Sequence, residues 1–132
     1  MTATLDTSPM QTGRRTPVHP AEELLHDARA QERAARISDA IASYEAAIAA
    51  AEGAGEPAVL AEALRRLAVI RHHRNESDEA RRLCHASYTV AHATGNDLLA
   101  AEALNTLGGI DLETDAVADA RQIGRASCRE RV

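Results

Sequence analysis

Residues 57–96 read PAVLAEALRRLAVIRHHRNESDEARRLCHASYTVAHATGN, and this stretch predicts two helices joined by a short turn. Pro57 suits a first helical turn, because the N–H that proline lacks would have no partner there. Apolar residues then recur at helical spacing, namely Leu60, Leu64 and Leu67. A second apolar stripe runs over residues 80–91, and Gly95 offers the left-handed conformation that commonly closes a helix. The stretch therefore predicts one helical hairpin.

The polar residues of this stretch predict where its helices begin and end. The run 72–75, His-His-Arg-Asn, is expected to end the first helix. Ser77 is expected to cap the second, followed by acidic residues that favour the positive end of a helix. Asn96 or Asp97 is expected to cap the next helix along the chain, which follows this hairpin.

A shift of forty residues aligns the chain with itself without gaps. The clearest match joins Ala21-Glu22-Glu23-Leu24, Ala61-Glu62-Ala63-Leu64 and Ala101-Glu102-Ala103-Leu104. Ala40, Ala80 and Ala120 also align, as do Gly55 and Gly95. Asp27 interrupts the pattern in the first copy, where Leu67 and Leu107 stand in the others. Self-similarity at a fixed period is the sequence signature of a repeat architecture.

The repetition predicts the domain organisation and the fold class. We predict units near 20–56, 57–96 and 97–122, preceded by a disordered leader over residues 1–19. The first unit should contain helices near 20–33 and 38–53. The chain is rich in Ala, Leu, Arg and Glu, which favour helices, and has few β-branched residues. The predicted fold is all-α: stacked antiparallel hairpins, about two and a half units in all.

The third unit is expected to be incomplete. Its first helix is predicted near 97–113, followed by a Thr114-Asp115 cap and a short second helix over 116–122. Residues 123–132 read IGRASCRERV, which closely resembles the translation of a widely used sequencing adapter. We therefore expect this tail to be non-native and the natural reading frame to be interrupted near Gln122.

The small and large residues of each unit resemble those of tetratricopeptide repeats. The first helix of that family carries an apolar residue and then a Leu-small pair, as in Leu64 with Leu67-Ala68 and Leu104 with Leu107-Gly108. Its second helix carries a small, a large and a small residue, as in Ala40-Tyr44-Ala47 and Ala80-Cys84-Ser87. The resemblance covers roughly residues 21–122. Because the family unit is about 34 residues, the chain looks like its longer bacterial variant, and HEAT-like repeats of about 40–47 residues stay a structural alternative.

The resemblance implies a scaffold whose first helices line a concave surface for a protein or peptide partner. In this chain it places eight residues in that groove: Arg65, Arg66, Val69, His72, His73, Asn105, Thr106 and Gly109. Arg65, Arg66 and Asn105 are candidates for holding an acidic or carboxylate-bearing peptide, although they do not reproduce the Lys and Asn clamp of the family. The alternative for each residue is a solvated helix face.

Composition argues against several other classes of function. The formal net charge of −5 disfavours nucleic-acid binding, and no apolar run approaches the length of a membrane span. All fifteen basic residues are arginine, which indicates a GC-rich bacterial gene. Two cysteines form no disulfide framework, so we expect a reducing cytoplasm.

No residue pattern predicts an enzyme, a cofactor site or a metal site. Four histidines fall in the second unit, but a zinc site needs three or four ligands that converge. Cys84 belongs to an apolar stripe and lacks an activating neighbour. No phosphate-binding glycine loop or nucleophile elbow is present.

Three expectations about function stay open on the sequence alone. The first is a binding module, and the second is an accessory region of a longer bacterial transcription regulator, signalling protein or enzyme. The third is self-association, because an incomplete third unit would leave apolar residues uncovered, namely Leu104, Leu107, Ile110 and Leu112.

Overall fold

The computed structural model describes the backbone of residues 19–130 and the side chains of residues 19–122. Five α-helices cover this part of the chain and it contains no strand, so the predicted all-α class is confirmed. The helices are α1 (Pro20–Arg33), α2 (Ile37–Ala54), α3 (Pro57–His73), α4 (Ser77–Ala93) and α5 (Asp97–Glu130). Apart from His19, the predicted leader lies outside the described residues.

Local chemistry explains most of the helix ends. Pro57 occupies the first turn of α3, and Gly95 follows α4 with a φ of 72°, both as predicted. Asn96 caps α5, because its Oδ1 accepts a hydrogen bond from the backbone N–H of Leu99 at 3.1 Å. The cap predicted at Ser77 is wrong. Ser77 is already the first residue of α4, no side chain caps that helix, and the Ser77 hydroxyl faces the His72 ring instead.

The turns recur with the same geometry forty residues apart. Ala35 and Asn75 both adopt left-handed backbone, with φ of 62° and 66°, and Gly55 and Gly95 do so with 67° and 72°. The backbone hydrogen bonds shift by the same step. Those that close the first turn of each hairpin are Arg36 N–H to Gln31 O and Glu76 N–H to Arg71 O, both 2.9 Å. The register found in the sequence is therefore present in the backbone.

The helices pack as an open stack of antiparallel hairpins. Each helix contacts the next along the chain, α3 also contacts α1 and α5, and within the described residues no other pair of helices touches. Short turns between packed helices make successive helices antiparallel. Since α1 and α5 do not meet, the stack does not close into a bundle.

Small residues let the two helices of a hairpin approach closely. Ser87 of α4 is buried, and its Oγ donates a hydrogen bond to the backbone oxygen of Ala61 in α3 at 2.6 Å. Ala40 and Ala47 flank the fully buried Tyr44 in α2, and Ala80 and Ser87 flank the fully buried Cys84 in α4. The hydroxyl of Tyr44 donates a hydrogen bond to Glu32 of α1 at 2.6 Å.

The third unit differs from the prediction. Instead of ending near 113 at a Thr114-Asp115 cap, α5 runs without interruption to Glu130. The hydroxyl of Thr114 donates to the backbone oxygen of Ile110 at 2.8 Å, an interaction made inside a helix rather than at its start. No proline or glycine stands between Ile110 and Ile123 to stop the helix. Within the described residues the third unit is therefore one continuous helix.

Among the residues that the structure describes, no helix combines the length and apolar character needed to cross a bilayer.

Replacing Ala35 with glycine should stabilise the protein. A left-handed φ costs an alanine about 1–2 kcal/mol, whereas glycine adopts it freely and loses roughly 0.5–1 kcal/mol to backbone entropy. We expect Ala35→Gly to raise the free energy of unfolding by about 0.5–1 kcal/mol in urea denaturation. The matched control is Ala34→Gly, since Ala34 has an ordinary φ of −86° and should only lose stability. Equal destabilisation by both substitutions would contradict the turn geometry.

Candidate functional site

The central helix α3 leaves only a narrow strip of its surface to solvent. It packs against α2 and α4 and contacts α1 and α5. Five of the predicted groove residues belong to this helix: Arg65, Arg66, Val69 and His72 are half-buried and His73 is exposed. The five predicted groove residues on α3 therefore keep at least partial access to solvent, although α3 contacts more helices than any other helix of the stack.

The other three predicted residues lie on α5, which contacts α3 directly. Asn105 and Gly109 are exposed. Thr106 is half-buried, and its Oγ1 donates to the backbone oxygen of Glu102 at 2.9 Å. The Thr106 hydroxyl is thus engaged within its own helix, while Asn105 has no such contact within the described residues.

The arginines of the predicted groove already have carboxylate partners. Arg66 donates to Glu62 at 2.8 Å, and Glu62 also lies 3.3 Å from Arg29 of α1. Arg65 lies 3.5 Å from Glu102 of α5. These pairs link α1, α3 and α5 across the surface. An acidic ligand would have to displace Glu62 or Glu102, which weakens the expectation that Arg65 and Arg66 hold a carboxylate.

A cleft of about 320 Å³ is shared by all three first helices. Its apolar lining consists of Leu25 from α1, Ala58 and Val59 from α3, and Leu99 from α5. Its charged lining consists of Glu22, Arg29 and Glu62. The cleft lies toward the N-terminal ends of α3 and α5, whereas the eight predicted residues lie further along those helices.

Sequence reasoning missed the contribution of α1 to this surface. By the forty-residue shift, Leu25 is equivalent to Arg65 and Asn105, and Arg29 is equivalent to Val69 and Gly109. The same shift that identified the units could therefore have extended the groove to the first helix. The prediction drew its residues only from the second and third units.

A second and larger surface cleft, of about 760 Å³, lies between the α3–α4 turn and α5. It contains His72 and His73 from the predicted set, opposite Glu113, Val117 and other residues of α5. Within it the His72 ring contacts two helices. Its Nδ1 lies 3.2 Å from the Ser77 hydroxyl of α4, and its Nε2 lies 2.5 Å from a Glu113 carboxylate oxygen of α5. His72 therefore joins α3, α4 and α5, a structural role that the groove prediction did not foresee.

The remaining histidines and the cysteine form no chemical centre in the described part of the chain. No group of three or more possible metal ligands converges there. His85 and His92 are exposed on α4, where the His92 ring stacks on Tyr88 with centroids 5.4 Å apart. Burial raises the pKa of the Cys84 thiol to about 11, and Asp111 adds to that rise while Arg65 opposes it. Cys84 is therefore a neutral thiol in the core near pH 7.

Cys84 should resist thiol reagents until the stack opens. In a Cys128→Ser variant, which leaves one thiol, we expect labelling by a disulfide reagent at pH 8 to be slow in the native protein. We expect it to be complete within minutes in denaturant, because the reactive thiolate then has its ordinary pKa and full access. Absorbance of the released thiol measures both rates. Native labelling within about tenfold of the denatured rate would contradict the burial of Cys84.

Comparison with known proteins assigns no function to this chain. No protein-family model matches it, no curated protein matches it, and no solved structure matches it. The tetratricopeptide resemblance stays a prediction from the residue pattern.

Proposed function

We propose that this chain is a tetratricopeptide-like interaction scaffold that holds a segment of a protein partner against α1, α3 and α5. One observation carries the proposal: three helices that are far apart in sequence contribute apolar and charged side chains to one shared cleft. A concave surface across stacked hairpins is the usual ligand surface of helical repeat proteins. The proposal keeps the bacterial, cytoplasmic setting expected from composition.

The size of this surface limits the length of the bound segment. Packed helices lie about 8–10 Å apart, so two steps from α1 through α3 to α5 span about 16–20 Å. An extended peptide of about five or six residues covers that distance at roughly 3.3 Å per residue. The partner segment is therefore short if it is extended.

The lining of the cleft indicates what the segment should contain. Leu25, Val59 and Leu99 offer an apolar contact, while Glu22, Arg29 and Glu62 surround it with both signs of charge. An apolar centre with a polar rim is the common arrangement of binding interfaces. Because Arg29 and Arg66 share Glu62, we propose that an apolar anchor residue, rather than an acidic group, dominates recognition.

Filling the cleft tests the proposal directly. A display library of random twelve-residue peptides would be selected on the intact protein, and the selected peptides measured by fluorescence anisotropy. We expect Ala58→Tyr to weaken their binding at least tenfold, because Ala58 is exposed and lines the cleft. The matched control is Ala49→Tyr, an exposed alanine on α2 that does not line it.

Equal binding to Ala58→Tyr and wild type would overturn the assignment of the cleft, and so would a selection that enriches no peptide. Circular dichroism of both variants should match the wild type, since each replaced side chain is exposed on a helix. Loss of binding in Ala49→Tyr alone would place the binding surface on the second helices.

A further inference from the structure

One of the two carboxylate oxygens of Glu62 has no hydrogen-bond partner among the described residues. The other, Oε2, receives both arginine contacts, from Arg66 Nε at 2.8 Å and from a terminal nitrogen of Arg29 at 3.3 Å. The Glu62 side chain is 22% exposed and lines the cleft shared by α1, α3 and α5. Its Oε1 is therefore an acceptor that the wall of the cleft offers to a bound segment.

Arg29 of α1 offers donors beside that acceptor. Its guanidinium carries five N–H groups, and its contact with Glu62 is the only polar side-chain contact that it makes in the described part of the chain. That contact is longer than the one between Arg66 and Glu62, and the Arg29 side chain is 36% exposed. The cleft therefore holds an acceptor from α3 and free donors from α1 next to each other.

A single charge on the partner does not match this arrangement. An acidic group would meet the carboxylate of Glu62, and a basic group would meet Arg29 and Arg66, so a like charge opposes either one. Glu22 at the rim is exposed and stays hydrated, so it adds little to the binding of a cation. A neutral group that carries a donor and an acceptor side by side matches both Glu62 and Arg29.

The main chain of an extended segment has this pattern. In an extended chain the N–H and the C=O of one residue point to the same side, which is how two residues of antiparallel strands exchange a pair of hydrogen bonds. Such a pair reads the backbone and makes no demand on the side chain of that residue. The chemistry of the cleft wall therefore favours an extended peptide backbone over a charged side chain.

We propose that Glu62 and Arg29 bind the main chain of the partner segment, an inference that rests on the proposed function of the cleft. The N–H of one residue of the segment donates to Glu62 Oε1, and the C=O of the same residue accepts from Arg29. Arg66 keeps its bond to Oε2, so the carboxylate need not be displaced when the segment binds.

The apolar lining then selects a side chain of the segment. Successive side chains of an extended chain point to opposite sides, so those on one side contact Leu25, Val59 and Leu99. Main-chain hydrogen bonds give affinity, and pockets for alternate side chains give specificity. Peptides selected on this protein should therefore share an apolar residue and no charged residue. A shared charged residue would contradict recognition through the backbone.

A scan of backbone N-methylation tests the contact, because it removes one N–H at a time and leaves every side chain in place. Each N-methylated form of a selected peptide would be measured by fluorescence anisotropy on the wild type. We expect one position to lose about tenfold in affinity, because Glu62 Oε1 then has no donor. Tolerance of N-methylation at every position would overturn the main-chain contact.

Glu62→Gln assigns the lost N–H to its acceptor. Glutamine keeps one oxygen for the arginines and places an NH₂ group where Oε1 stood, so it cannot accept from the segment. The unmodified and the N-methylated peptide should then bind within about twofold of each other. In Arg29→Met the unmodified peptide should weaken by about threefold to tenfold, while the penalty for N-methylation persists.

Glu79→Gln is the matched control, since Glu79 pairs with Arg82 on α4 and does not line the cleft. It should bind every peptide as the wild type does. An undiminished penalty for N-methylation in Glu62→Gln would overturn the role of Glu62. If Ala58→Tyr still blocks binding in that case, the proposed function stands without the main-chain contact. If no peptide is enriched at all, both fail together.

Discussion

Close packing between the two helices of a hairpin is the constraint on which the rest of this structure depends. The 2.6 Å hydrogen bond from the Ser87 hydroxyl to the backbone oxygen of Ala61 shows how near α4 comes to α3. Such an approach is possible because small residues stand at the crossing, and the larger Tyr44 and Cys84 beside them are fully buried. The apolar faces created in this way must be covered by a neighbour, so the hairpins stack and the first helices come to lie side by side.

The forty-residue register allowed much of this arrangement to be predicted from the sequence. It located α1 to α4 and the left-handed glycine after α4, and Asn96 is one of the two residues predicted to cap α5. The helix start predicted at Thr114-Asp115 is wrong. No proline or glycine ends the preceding helix there, so α5 continues through these two residues. Ser77 shows a similar limit: its hydroxyl contacts His72, a choice between two nearby partners that the sequence does not decide.

The candidate site depended more heavily on long-range contacts. The eight predicted residues do lie on α3 and α5, but the pairing of Arg65 with Glu102 joins residues in different units and could not be read from local pattern. The contribution of α1 could have been predicted, because the forty-residue shift aligns Leu25 and Arg29 with predicted groove residues of α3 and α5. The pair of Arg66 with Glu62 has the four-residue spacing that a helix brings together, but the pairs of Arg29 with Glu62 and of Arg65 with Glu102 depend on how the units stack. For the proposed function, these pairs are the reason to favour an apolar anchor over an acidic group.

The two ends of the stack have opposite character. Acidic residues at Glu23 and Asp27 give α1 a polar outer face, while α5 ends the described stack with exposed leucines. A stack of this kind is held only by contacts between neighbours, so its stability should be graded along the chain. Amide hydrogen exchange at low protein concentration measures this gradient directly. We expect the slowest exchange in α3, which has neighbours on both sides, and faster exchange in α1 and in α5. Equal protection of all five helices would indicate a single closed core and would contradict the stacked arrangement.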